Sequence, residues 1–277
     1  MGNLRALVTI AAIAFTAACG DDGSAAIDAP IVIADAAIDA PPDSYVPDAP
    51  NYNFGCYQNT APATVAATVS LSGTAREVIV QGMAPAVVPA SGVQIDACKG
   101  NCAGGNRLDR QTTSTTGTFT TAAITTGSPA AAIDGYLLAT KTGIRTTYVY
   151  PHAPLVADQP GIPVFMLSNS VISALPLLGI NQAAGNSLVG ILVTDCSNPP
   201  MPIPGAIVAA KQNGIAVGDP PQDIGALDPM GEGAFIVFNV PPGDTEVSAT
   251  YNGMTFRAHT VGAVAGTTTM TQVRPGF

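Results

Sequence analysis

The sequence predicts an all-β protein: two tandem antiparallel β-sandwiches with a short connecting helix, preceded by a disordered tether. Three observations carry this expectation. Gly and Pro are abundant, 29 and 24 of 277 residues, which suits short strands joined by many turns. Turn residues punctuate the body of the chain every ~8–12 residues, the spacing of a sandwich. One order of motifs also occurs twice, more than a hundred residues apart, which marks a domain duplication and not a solenoid.

The chain opens on MGNLRALVTIAAIAFTAA, residues 1–18. Arg5 and the α-amine supply positive charge, Ala6–Phe15 an apolar run, and small residues follow. That is the layout of a secretory signal, too short to span a bilayer comfortably. Thr16-Ala17-Ala18-Cys19 resembles a bacterial lipobox, with Thr16 where an aliphatic residue is usual. The resemblance implies cleavage before Cys19 and lipidation of its thiol, making Cys19 the membrane anchor. Ordinary cleavage after Ala18 is the alternative. Gly20 follows the cysteine in place of Asp, which by resemblance to enterobacterial lipoproteins implies the outer membrane or cell surface. A metal site of Cys19, Asp21 and Asp22 would lack a preformed cage and any nearby His.

Residues 19–50 read as a disordered Asp/Ala/Pro-rich tether. Seven aspartates and no Lys or Arg lie between Gly20 and Pro50. Single-sign charge and proline oppose a packed core and favour an extended spacer. The run lacks the Gly-centred loop and terminal Glu of an EF-hand, so calcium is not expected. The net charge of −9 resides mostly here: residues 51–277 carry 9 basic and 12 acidic side chains. Such a body offers no basic field to a phosphate backbone, and nucleic acid is excluded as a partner.

The first sandwich is expected over 51–160. It contains VSLSGTA (Val69–Ala75), GVQIDA, TTGTF (Thr115–Phe119), YLLAT and RTTYVYP (Arg145–Pro151). The second, 187–277, contains SLVGILVTD (Ser187–Asp195), GAIVAAK, GAFIVFNV, EVSAT and TFRAHTV (Thr255–Val261). Gly73 matches Gly190, Gly92 matches Gly205, Gly117 matches Gly233, and Gly143 matches Gly253. β-branched and aromatic residues in short alternating runs read as strands, and Asn252-Gly253 between two such runs is a strong hairpin signal. Between the copies, 161–186 reads as a connecting strand and helix. Ser168 or Asn169 can cap the helix, Val171, Ile172 and Leu175 give it an apolar stripe, and Pro176 should shorten or kink it. That stripe is expected to pack on one sandwich or between both.

Pro204-Gly205-Ala206-Ile207-Val208, Gly233-Ala234-Phe235 and Val240-Pro241-Pro242-Gly243 resemble the carboxypeptidase regulatory-like domain, a transthyretin-like (prealbumin-like, Ig-type) sandwich. The first copy matches less clearly. The acidic run after the export signal is similar in composition to lipoproteins of myxobacteria. The resemblance implies a non-catalytic accessory module on an exported protein and names no ligand.

Beyond Cys19 the chain holds Cys56, Cys98, Cys102 and Cys196. In an oxidising compartment four thiols suggest up to two disulfides with three possible connectivities. CKGNC can close a tight Cys98–Cys102 loop, leaving Cys56 and Cys196 as partners or free. Their spacing matches no common zinc pattern. His152 and His259 are read as lying near the ends of corresponding strands; exposed edge histidines are the plain reading, a shared metal or pH switch the sharper one. G-x-S-x-G, H-E-x-x-H, the P-loop and G-x-G-x-x-G are missing from the sequence, and Glu77, Glu232 and Glu246 show no paired spacing. No catalytic residue, metal or cofactor is therefore expected. The expected role is structural or in protein interaction, with an envelope protein as partner. Glycan binding is the alternative, and a hydrolase with an unrecognised site the third.

Overall fold

The structure is a computed structural model that describes residues 51–82, 84–225 and 232–277. The signal segment, Cys19 and the Asp-rich tether lie outside the described residues.

Short apolar runs broken by left-handed turns fold as strands throughout. The first copy supplies β1 (Thr68–Val69), β2 (Leu71–Gln81), β3 (Ala84–Pro89), β4 (Gln94–Cys98), β5 (Arg107–Thr112) and β6 (Thr118–Thr120). It continues with β7 (Ile124–Thr125), β8 (Tyr136–Thr140), β9 (Thr147–Tyr150) and β10 (Gln159–Leu167). Helix α1 (Asn169–Ala174) and a 3₁₀ turn, Leu175–Leu178, come next. The second copy supplies β11 (Ser187–Val193), β12 (Ile207–Gln212), β13 (Ile215–Ala216), β14 (Gln222–Asp223) and β15 (Ala234–Val240). It ends with β16 (Gly243–Tyr251), β17 (Met254–Thr255), β18 (His259–Ala263) and β19 (Thr268–Val273).

The two copies share one pairing scheme. β2 pairs with β6 and, in parallel, with β10; β11 pairs with β15 and, in parallel, with β19. β5–β4–β8–β9 has its counterpart in β13–β12–β16–β18. One turn shows the match at atomic level. Ala75 N donates to Gly117 O at 2.8 Å, and Val193 N to Gly233 O at 2.9 Å. Both glycines are left-handed, φ 79° and 76°, and a Cβ on either would run into neighbouring backbone, so Gly is required twice. The Gly73–Gly190 match shifts by one residue: Gly73 opposes Phe119, whereas Ile191 opposes Phe235.

Antiparallel pairing dominates, as the sequence predicts, but three pairings are parallel: β2–β10, β11–β19 and β9–β19. The last strand of each copy crosses to the opposite sheet and lies parallel to β2 in the first copy and to β11 in the second. The third pairing joins the copies. Thr268–Thr271 of β19 run beside Thr147–Tyr150 of β9. One eight-stranded sheet, β14–β15–β11–β19–β9–β8–β4–β5, therefore has half of its strands in each sandwich.

Each sandwich has its own core. Ile95, Leu137, Phe119, Val164 and Met166 meet in the first; Val189, Ile191, Phe235, Val247 and Phe256 meet in the second. A third cluster lies where the copies touch, with Val78, Leu167, Leu188, Ile236 and Phe238 joined by Val171 and Ile172 of α1. The helix thus packs between both sandwiches. Ser168 caps it, its Oγ accepting from Val171 N at 3.3 Å. The α-turns stop at Ala174, the 3₁₀ turn holds Pro176, and left-handed Gly179 ends it.

Two segments lie elsewhere than their place in the chain suggests. Tyr52 and Phe54 fall in the span expected to form the first sandwich, 51–160, yet pack on the second, against Tyr251 and Phe256. β10, in the segment read as a connector, is a full strand along β2.

Candidate functional site

β9, β19 and β11 are mutually parallel, so their carboxyl ends share one rim. That topology gathers His152, Arg274 and Asp195 from distant parts of the sequence. Asp195 is fully buried and holds the entering chain. Its carboxylate accepts from Asn53 N at 2.8 Å, Met201 N at 2.8 Å, Ser197 N at 3.0 Å and Ser197 Oγ at 2.7 Å. Burial raises its pKa, but these bonds, Ser197 Oγ foremost, outweigh burial and hold it below the usual value.

Beside it stand four basic groups. Arg257 donates to His152 O at 2.9 Å and lies over the Phe277 ring at 4.8 Å; Arg274 Nε donates to Asp195 O at 3.1 Å. His259 Nε2 meets Thr271 Oγ1 at 2.6 Å, and the Nδ1 atoms of both histidines are buried without a hydrogen-bond partner. These imidazoles are half-buried and not exposed on strand edges. Burial first, then Arg274, His259 and Arg257, pushes the His152 pKa down to about 4. Burial and Arg257 push His259 down to about 4. Both are neutral near pH 7. Among the described residues neither Arg257 nor Arg274 forms an ion pair, and no three His, Cys, Asp or Glu side chains gather to hold a metal.

From this rim a cavity of about 760 Å³ runs along the sheet. Its floor is the outer face of β11, β15 and β19, with Leu192, Ile236 and Met270; its wall is β10, with Ile162 and Phe165; residues 153–160 border it. Gly190 leaves room for Met270, whose sulfur occupies the place of a Cβ there.

Both disulfide pairings anticipated from the cysteines are present. Cys98–Cys102 closes the Lys99–Asn101 loop beside Tyr136, with 4.9 Å between Cα atoms. Cys56–Cys196, 5.6 Å between Cα atoms, fastens the entering chain to the rim. Cys19 lies outside the described residues. Sequence reasoning missed Asp195, Arg257, Arg274 and the cavity. One signal was available: SLVGILV and AFIVF are apolar on both strand faces, which requires a covered outer face.

The strand edges equivalent to the joining ladder are closed. On β18, Gly262 O accepts from Thr269 Oγ1 at 2.8 Å, and the Tyr150 hydroxyl lies close against Gly262. On β10, Pro160 and Pro163 lack donors, and Leu167 O accepts from Arg145 N at 2.9 Å. On the outer face of β8 and β9, Tyr136 lies 5.2 Å from Tyr148 and 5.3 Å from Tyr150 between ring centroids.

No family model and no curated protein matches the chain. Among solved structures it is similar to the shaft pilin SpaA of Lactobacillus rhamnosus GG: 12% identity over 76% of this chain and 98% of that one, TM-score 0.24. The Bacillus anthracis TIE protein matches at 10% identity over 75% of this chain and 34% of that one, TM-score 0.22. Sidekick-1 immunoglobulin domains 1–5 match at 9% over 79% and 37%, TM-score 0.15. Scores this low carry no argument about this chain, whose function is read from its own residues.

Proposed function

We propose that this chain is an exported, lipid-anchored envelope protein whose tandem sandwiches serve a structural or protein-interaction role without catalysis. One observation carries the reading: one continuous sheet runs through both sandwiches, and the buried Asp195 carboxylate at its rim, with four hydrogen bonds donated to it, is committed to holding chain segments together. Two disulfides support folding in an oxidising compartment. The left-handed Gly205 and Gly233, in motifs that resemble carboxypeptidase regulatory-like domains, support an accessory module of that kind. Lipidation at Cys19 and an outer-membrane or surface location rest on the amino-terminal sequence. Labelling cells with an alkyne fatty acid tests the anchor: label is expected on the wild type and lost from Cys19→Ser, and label kept by the mutant sinks it. For the role, photo-crosslinking from the sandwich faces in intact envelopes is expected to trap a discrete protein partner.

A second reading is favoured by the half-buried Tyr136–Tyr148–Tyr150 cluster, an aromatic surface of the type that stacks on sugar rings. A glycan array reads it directly. Binding that vanishes in Tyr136→Ala and Tyr148→Ala would replace the protein partner with a saccharide.

A further inference from the structure

The cavity and the basic rim are adjoining parts of one surface. Its floor and wall are apolar, and one end carries Arg274 and His152, both in the cavity lining, with Arg257 hydrogen-bonded to His152 O directly behind. The carboxylate facing Arg274 is Asp195, whose oxygens already accept four hydrogen bonds and are turned toward the 52–56 and 197–201 segments. Asp195 itself does not line the cavity; the acid that does, Asp158, accepts from Ser70 N at 2.7 Å at the far side of the bordering segment. Arg274 Nε is spent on Asp195 O, and no partner satisfies the rest of its guanidinium among the described residues. Arg274 is half-buried in the lining, so its remaining donors stay open to an anion entering the cavity. Pockets of ~300–1,000 Å³ with apolar walls and a few convergent polar groups are the usual form of a small-molecule site.

We infer that this cavity binds a single-chain anionic amphiphile, a long-chain carboxylic acid, with its acid group at Arg274 and His152 and its chain along Leu192, Met270, Ile162 and Phe165. Charge complementarity decides the class: an uncharged chain of equal length would bury the same apolar area and leave the guanidinium unanswered. Arg presents its donors to a carboxylate as a planar fork, so the head group is held with a defined orientation. This inference stands on the cavity and its basic rim, independently of the structural role proposed above.

Displacement of a fluorescent fatty acid from the intact, disulfide-bonded protein tests it, with oleate as the probe and oleyl alcohol as the uncharged control. Oleate is expected to bind one to one, about tenfold or more tighter than the alcohol, a difference of one good charge-assisted contact. Arg274→Gln should weaken oleate about tenfold and leave the alcohol unchanged. Because Arg274 also braces Asp195, Leu192→Glu is the second variant: its side chain points into the cavity, away from the second core, and should abolish oleate binding while the melting temperature holds. Equal affinity for acid and alcohol, unweakened oleate binding by Leu192→Glu, or binding seen only to vesicles containing phosphatidylglycerol would each overturn the assignment.

Discussion

The two sandwiches share a pairing scheme but place one strand differently. In the first, β10 lies on β2 and its outer edge is closed by Pro160, Pro163 and the backbone of Arg145. In the second, the equivalent β19 reads TTMTQV, lacks proline, and is paired on both sides, to β11 and to β9. The duplication thus produced one joining ladder and closed the edges that would repeat it. Edge strands with free donors and acceptors invite further pairing, and proline or side-chain capping is the usual remedy. What the comparison teaches is that the same strand serves as a lid in one copy and as a joint in the other, according to whether its backbone groups are left available.

The staples make the largest expected difference. Cys56–Cys196 spans 140 residues and encloses the whole first sandwich, while Cys98–Cys102 spans 4 within it. Chain entropy assigns the long loop about 5 kcal/mol and the short one about 2 kcal/mol. Replacing both members of each pair with Ala and measuring denaturant unfolding should give losses in that order. Equal losses would mean that the long staple does not constrain the unfolded chain.

The second expected effect concerns pH. The folded pKa of His152 and of His259, about 4, lies below the ordinary 6.5. The unfolded chain therefore binds protons first, so stability contributed by neutral burial is present above pH 6.5 and lost as pH falls toward 4. At pH 5 each imidazole should cost about 2 kcal/mol relative to pH 8. The position in the first copy equivalent to His259 is Val149, which does not titrate. The double variant His152→Phe, His259→Val should flatten this part of the pH profile, and an unchanged slope would remove the histidines from the account.

A smaller effect separates two acids at equivalent places. Asp195 and Glu77 each lie two residues beyond the matched Val193 and Ala75. Asp195 is buried with four donors, whereas Glu77 is partly exposed and meets Lys141 at 3.5 Å. Asp195→Ala should cost about 3 kcal/mol by leaving buried donors unanswered, and Glu77→Ala less than about 1 kcal/mol. Thermal unfolding of the two variants reads the contrast.

Much of this fold was legible from local chemistry. The left-handed glycines of the matched turns, the Asn252-Gly253 hairpin (φ 47° and 79°), the Ser168 cap and the break at Pro176 all lie where the residues require them. The cysteines gave pairing possibilities, and proximity selected two. What escaped was long-range. Nothing local in TTMTQV says that it pairs on both edges, and Tyr52 and Phe54 carry no mark that they belong to the second core. The basic rim escaped for the same reason. His152, Arg257 and Arg274 are spread over more than a hundred residues and meet because parallel strands end together.

The central claim, that β9 and β19 join the copies in one sheet, is tested most directly by native-state amide hydrogen exchange resolved to short peptides. The account predicts that 147–150 and 268–271 are protected as strongly as the central strands β11 and β8, while the closed edges at 159–163 and 259–263 exchange faster. Exchange of 147–150 and 268–271 at the rate of those edges would contradict it, because the two sandwiches would then be neighbours without a shared ladder.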